Sequence, residues 1–156
     1  MCANGAVPFH EGLIKEVQDH GIYGNALMCA AVYGRDLMLV KLLDHMKPCI
    51  NFRADVMFHL KRLDTEAYKP IDTKKIRKSG FGCFTPLMFA IYFGHFNCVK
   101  ILIIHGADYR MRDRDHGDSI LHIAAKNKRI EILEWLCKRF VDFDHFCTND
   151  KGENAF

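Results

Sequence analysis

No apolar run in the 156 residues approaches the ~20 needed to cross a bilayer, because charged or polar side chains interrupt each one. The opening MCANGAVPFHEG lacks a basic segment followed by an apolar stretch, which argues against a secretory signal. Among the seven cysteines (Cys2, Cys29, Cys49, Cys83, Cys98, Cys137 and Cys147), no two are separated by two residues, so zinc and redox spacings are missing. No His-x-x-x-His or Glu-linked pair suggests a metalloenzyme, and Gly80–Gly82 (GFG) is too short for a phosphate loop. A net charge of +3 is too small to recruit nucleic acid or a membrane surface. Nothing here points to catalysis, a cofactor or a metal.

What is present is the composition of one folded domain, 49% apolar and 26% charged. The cysteines are odd in number and mostly lie in apolar sequence, where a free thiol acts as a small hydrophobe. That suits a reducing, intracellular setting, cytoplasm or nucleus.

The chain then repeats itself. TPLMFAIYFGHFNCVKIL from Thr85 aligns with SILHIAAKNKRIEILEWL from Ser119, an offset of 34 residues. Thr85, Leu87, Ala90, Val99 and Leu102 fall on Ser119, Leu121, Ala124, Leu133 and Leu136. Upstream, NALMCAAVYGRDLMLVKLL from Asn25 has Leu27 and Ala30 in the first helix and Gly34 in the turn. Val40 and Leu43 then fill the second helix if one extra residue follows the glycine. Downstream, Gly152, Asn154 and Phe156 stand where Gly117, Ser119 and Leu121 stood. Thr85 is a helix cap and Pro86 suits the first helical position, where its missing N–H costs nothing. Gly34 and Gly94 end first helices, where a left-handed residue is wanted. One such helix pair cannot bury its own apolar face, so units must stack.

These motifs resemble ankyrin repeats, whose pattern is G-x-T-P-L-H-x-A-A…G…V-x-x-L-L…G-A-D. Lys128 departs from it at the turn glycine. The resemblance implies an all-α solenoid of stacked helix-turn-helix units joined by β-hairpin-like loops. A single domain over 1–156 divides into a partial unit 8–22, a repeat 23–53, an inserted loop 54–80, repeats 81–113 and 114–148, and a partial unit 149–156. The insertion follows from spacing, since Thr85 lies 60 residues after Asn25 against a period of about 33. Its reading is open between a solvated loop, with a short helix near Val56 to Leu63, and a partner or localisation element built on Lys74, Lys75, Arg77 and Lys78. The hairpin tip RDRDHGD is one residue longer than usual. The sequence stops at Phe156 partway into a first helix, so it either caps poorly or has been cut there.

For such an array the resemblance implies a protein partner held on the concave face of a monomer. The residues expected to meet it are Tyr33, Phe84, Tyr92, Phe93, Arg114, His116, Asp118, Lys126 and Asn127. His95 and His122 are expected to hydrogen-bond between repeats or to cap turns, and Trp135 to pack. The stretches FHEG, GDSILHIAAKN and EWLC are similar to the small viral inhibitor-of-κB-like ankyrin proteins, the vankyrins. That likeness implies stoichiometric capture of a Rel/NF-κB factor. Release on signal would be missing, since the chain has no Asp-Ser-Gly phosphodegron and no acidic C-terminal tail. The alternative is a general adaptor or effector with an unrelated partner.

Overall fold

The computed structural model describes residues 23–46, 50, 51, 53 and 84–156. The partial unit 8–22 and the insertion 54–80 lie outside these residues. Six helices and no strand occur among those described: α1 Tyr23–Val32, α2 Asp36–Met46, α3 Pro86–Phe93, α4 Phe96–Ile104, α5 Ile120–Lys126 and α6 Ile130–Arg139. They form three pairs, α1/α2, α3/α4 and α5/α6. The first helices stack in one layer, with α3 between α1 and α5, and α2 packs on α4 in a second.

Position in the stack explains composition. In α3, PLMFAIYF, the six residues Pro86 to Ile91 are all buried, as expected of a helix packed between two first-helix neighbours and its own second helix. In α6, at the end of the described stack, only Ile132 and Leu136 are buried and the charges face outward. Leu27, Leu87 and Leu121 are each at most 1% exposed, and Ala30, Ala90 and Ala124 at most 3%, so equivalent residues share one environment. The small alanines let the first helices approach closely.

The three turns share one backbone hydrogen bond at matching positions. The N–H groups of Arg35, His95 and Arg129 donate to the carbonyls of Ala30, Ala90 and Ala124, each at 2.8 Å. This six-to-one bond satisfies a carbonyl that the helix end leaves free. It requires a left-handed residue just before the donor, supplied by Gly34 (φ 65°), Gly94 (φ 82°) and Lys128 (φ 56°). The next helix then starts identically: Leu39, Val99 and Leu133 donate to Arg35, His95 and Arg129 at 2.9, 3.0 and 2.9 Å.

That identity corrects the register expected for the first unit. No extra residue follows Gly34. Leu39 and Leu42 occupy the places of Val99 and Leu102, and all four are buried, whereas Val40 is half-buried. The stretch LMLVKLL is apolar at enough positions to permit a one-residue slip, which hydrogen bonding resolves.

Side chains lock adjacent turns together. His95 Nε2 lies 2.9 Å from the carbonyl oxygen of Val32, and Arg129 Nε donates to that of Tyr92 at 3.1 Å. Each acceptor lies two residues before the left-handed position of the preceding unit. The His95 ring comes so near Gly34 that a Cβ there would sit 2.6 Å from Nδ1. In the second layer, Asp36 accepts from the Cys98 thiol (2.9 Å) and from the Asn97 amide (3.2 Å), tying the start of α2 to the start of α4.

Candidate protein-binding surface

Caps and hairpins position the surface. Thr85 Oγ1 accepts from the Met88 N–H at 3.3 Å, with Pro86 in the first turn of α3. Ser119 caps α5 through a reciprocal box in which His122 Nδ1 accepts from the Ser119 N–H at 3.2 Å and lies 2.7 Å from Ser119 Oγ. The other ring nitrogen, Nε2, must then carry the proton it donates to the Glu153 carbonyl, 2.9 Å away. His95 and His122 thus bond between units, as expected.

Before α5 the chain makes a tip closed by Asp113 N–H to Asp118 O (2.9 Å). Asp113 Oδ1 accepts from the N–H groups of His116 (3.0 Å) and Asp118 (2.9 Å). The following tip repeats the design. Asn149 N–H donates to Glu153 O (2.9 Å), and Asn149 Oδ1 accepts from Lys151 and Glu153, both at 3.0 Å. The first closure spans five residues and the second four, which is the extra residue expected in RDRDHGD. The two tips are joined by Asp150 N–H to His116 O (2.9 Å) and by the Arg112 guanidinium donating to Thr148 O (2.6 Å) and Gly117 O (3.2 Å).

Between the tips and the end of α5 lies a charged cluster. Lys126 Nζ donates to both Asp118 oxygens, at 2.8 and 2.7 Å, and stands 3.7 Å from Glu153 Oε2. Asn149 Nδ2 donates to Asp118 Oδ1 (2.8 Å) and to Glu153 Oε2 (3.0 Å). Burial pushes the Asp118 carboxyl up, but hydrogen bonds from Lys126 and Asn149, with the Lys126 charge, bring it below its ordinary range. The Asn149 hydrogen bond, aided by Lys126, likewise lowers Glu153.

The residues expected to meet a partner therefore divide. Phe84 and Asp118 are 6% exposed. Phe84 packs on Phe89 (5.3 Å between centroids) and Tyr92 (6.4 Å), and Asp118 is enclosed by Lys126 and Asn149. Neither side chain is offered to a partner. An apolar ring directly before a cap, and an acid at a hairpin closure, serve the fold. Tyr33, Tyr92 and Phe93 are half-buried on the first-helix layer, with Tyr92 edge-on to Phe93 (5.1 Å) and Phe93 stacked on His95 (6.3 Å). Asn127 is half-buried and turned back onto Ile123 O (2.7 Å). Lys126 is exposed but held by Asp118. His116 is half-buried, and its Nδ1 lies 3.6 Å from Asp113. Arg114, at the crest of the longer tip, is exposed and has no side-chain partner among the described residues. Trp135 is half-buried, edge-on to Phe96 at 5.8 Å.

Asn149 and Glu153 were not expected. The signal was available, since Asn149 stands 36 residues after Asp113, but the tips differ in length and the repeat offset hides it. Also unexpected is an open cavity of about 280 Å³ lined by Arg110, Arg112, Asp142, Phe143, Asp144 and Cys147.

Turns closed by the same bond, interlocked neighbours and a shared apolar layer define a stacked-repeat protein of the kind that binds other proteins. A family model of ankyrin repeats in three copies matches residues 53–147, and the chain belongs to the ankyrin-repeat family. The match begins after α2, so the place of α1/α2 in the array rests on the shared turn geometry. Two relatives come from Microplitis demolitor bracovirus. The I-Kappa-B like protein C1 is 50% identical over 40 residues, and the I-Kappa-B like protein G1 is 39% identical over 41. Each covers 26% of this chain and 23% of the relative, so the chain spans under a quarter of either viral protein. The human protein phosphatase 1 regulatory subunit 27 is 34% identical over 112 residues, covering 67% of this chain and 69% of its own. Among the described residues, no helix is long and apolar enough to cross a membrane.

Proposed function

We propose that the chain is a non-catalytic binding module that captures a Rel/NF-κB factor stoichiometrically on its concave face, in the cytoplasm and nucleus of the cell it acts in. The observation carrying this reading is the 50% identity to a viral I-Kappa-B like protein. The surface supports it: Tyr33, Tyr92 and Phe93 offer the aromatic anchors that recur at protein interfaces, and Arg114 and His116 form a rim on a hairpin fixed by Asp113. Masking by simple occupancy needs no chemistry from the chain.

A second reading is favoured by a separate observation. The regulatory-subunit match covers far more of the chain than the viral one. On it, the same face would hold the catalytic subunit of protein phosphatase 1. One calorimetric experiment decides between the two, with purified Rel homology domain and phosphatase 1 catalytic subunit titrated separately into the full chain. A one-to-one complex with the Rel domain at submicromolar Kd supports the first reading. Binding to the phosphatase alone overturns it in favour of the second, and binding to neither leaves an adaptor for another partner.

A further inference from the structure

Lys126 is the cation of the first-helix layer nearest the hairpin tips, and the chain partly consumes it. An ammonium has three donors. Two are spent on Asp118 at 2.7 and 2.8 Å. Beyond these, the nearby acceptor is Glu153 Oε2 at 3.7 Å, which is outside hydrogen-bond range. The Lys126 side chain is 43% exposed and that of Glu153 55%, so the two meet in solvent above a buried Asp118–Asn149 floor. Glu153 is held in place by Asn149 Nδ2, which also grips Asp118. The ammonium is thus anchored by Asp118, and the further carboxylate beside it, at an ion-pair distance of 3.7 Å, belongs to the chain itself.

From this geometry we infer that Glu153 is an intramolecular competitor. It occupies the place at Lys126 that a carboxylate side chain of the partner takes on binding, and it must swing away for that contact to form. The inference rests on the reading of this face as partner-binding. It assigns Lys126 to an acidic side chain of the partner, with Asp118 and Asn149 as positioning residues. An exposed pair contributes little to stability, so Glu153 can leave without unfolding the hairpin, whose closure is made by backbone groups and Asn149.

The test uses the full chain and two measurements. In calorimetry against the Rel homology domain, Glu153→Gln removes the competing charge and is expected to tighten binding about three- to tenfold, while Lys126→Met weakens it about tenfold or more. In the double variant the gain from Glu153→Gln is expected to vanish, because the two residues act on one contact. Unchanged or weaker binding by Glu153→Gln, with wild-type binding intact, overturns the inference and leaves the proposed function standing. The second measurement needs no partner. Acetate is titrated while the Lys126 ammonium resonance is followed by NMR. The expected result is a shift in Glu153→Gln at acetate concentrations several-fold below those needed in wild type. Equal responses overturn the inference whether or not the Rel domain binds.

Discussion

Lys128 carries the cost of a left-handed backbone (φ 56°) that glycine meets in the other two turns. It is exposed, so its side chain offers little in compensation. Lys128→Gly is expected to stabilise the chain by roughly 1 kcal/mol or less, since the relief of a strained L-residue exceeds the added chain entropy. The check is a thermal midpoint a few degrees higher. Buried thiols make a second expectation at this scale. Burial pushes Cys29 up to about 12, and burial together with the Asp36 hydrogen bond raises Cys98 further. The thiolate is the reactive form. Both should therefore resist alkylation at neutral pH in the native chain and label only on unfolding, as read by peptide mapping.

At the scale of the element, each turn is built by two units. Gly34→Ala would drive a Cβ against the His95 ring as well as straining the backbone, whereas Gly106→Ala (φ 90°) meets nothing within 4 Å. The first should cost ~2 kcal/mol or more and the second ~1 kcal/mol. Chemical denaturation of the two variants checks this, and His95→Ala should recover part of the Gly34→Ala loss. The hairpin clasp has a pH signature. Asp118 and Glu153 are both lowered on folding, so their contribution is complete above the ordinary carboxylate value of about 4 and drains away as pH falls through the lowered folded values. Asp118→Asn should flatten that acid limb in denaturation midpoints between pH 7 and pH 3. These elements were unequally legible in the sequence. Thr85-Pro86, Gly34 and Gly94 announce caps and turns because few residue types can do those tasks. The start of α2 was misregistered because LMLVKLL leaves two registers nearly equal in apolar pattern. The burial of Phe84 and Asp118 was hidden because it depends on how neighbouring side chains fold over them, the Phe89 and Tyr92 rings on Phe84 and Lys126 with the distant Asn149 on Asp118, which spacing alone does not show.

Among the described residues the helix pairs form a row in which each packs chiefly on its neighbours, so stability approximates a sum of units and junctions. The enclosed α3 should then be its most sensitive part, and Phe89→Ala, at a fully buried ring, should cost ~3–5 kcal/mol in denaturant titration. Binding can be separated from folding at Arg114. Arg114→Glu should leave the thermal midpoint unchanged and weaken the partner complex, measured by calorimetry. The same row has a consequence at its rim. The tips at Asp113 and Asn149 differ by one residue, yet each closes through a side-chain oxygen of its first residue. The extra residue of the first tip is accommodated between Asp113 and Asp118, and α5 follows with its Ser119 cap intact. Foreign sequence spliced between Arg114 and Asp115 should be displayed without disturbing the pile beneath it, which makes this crest the natural place to write a new specificity into the protein.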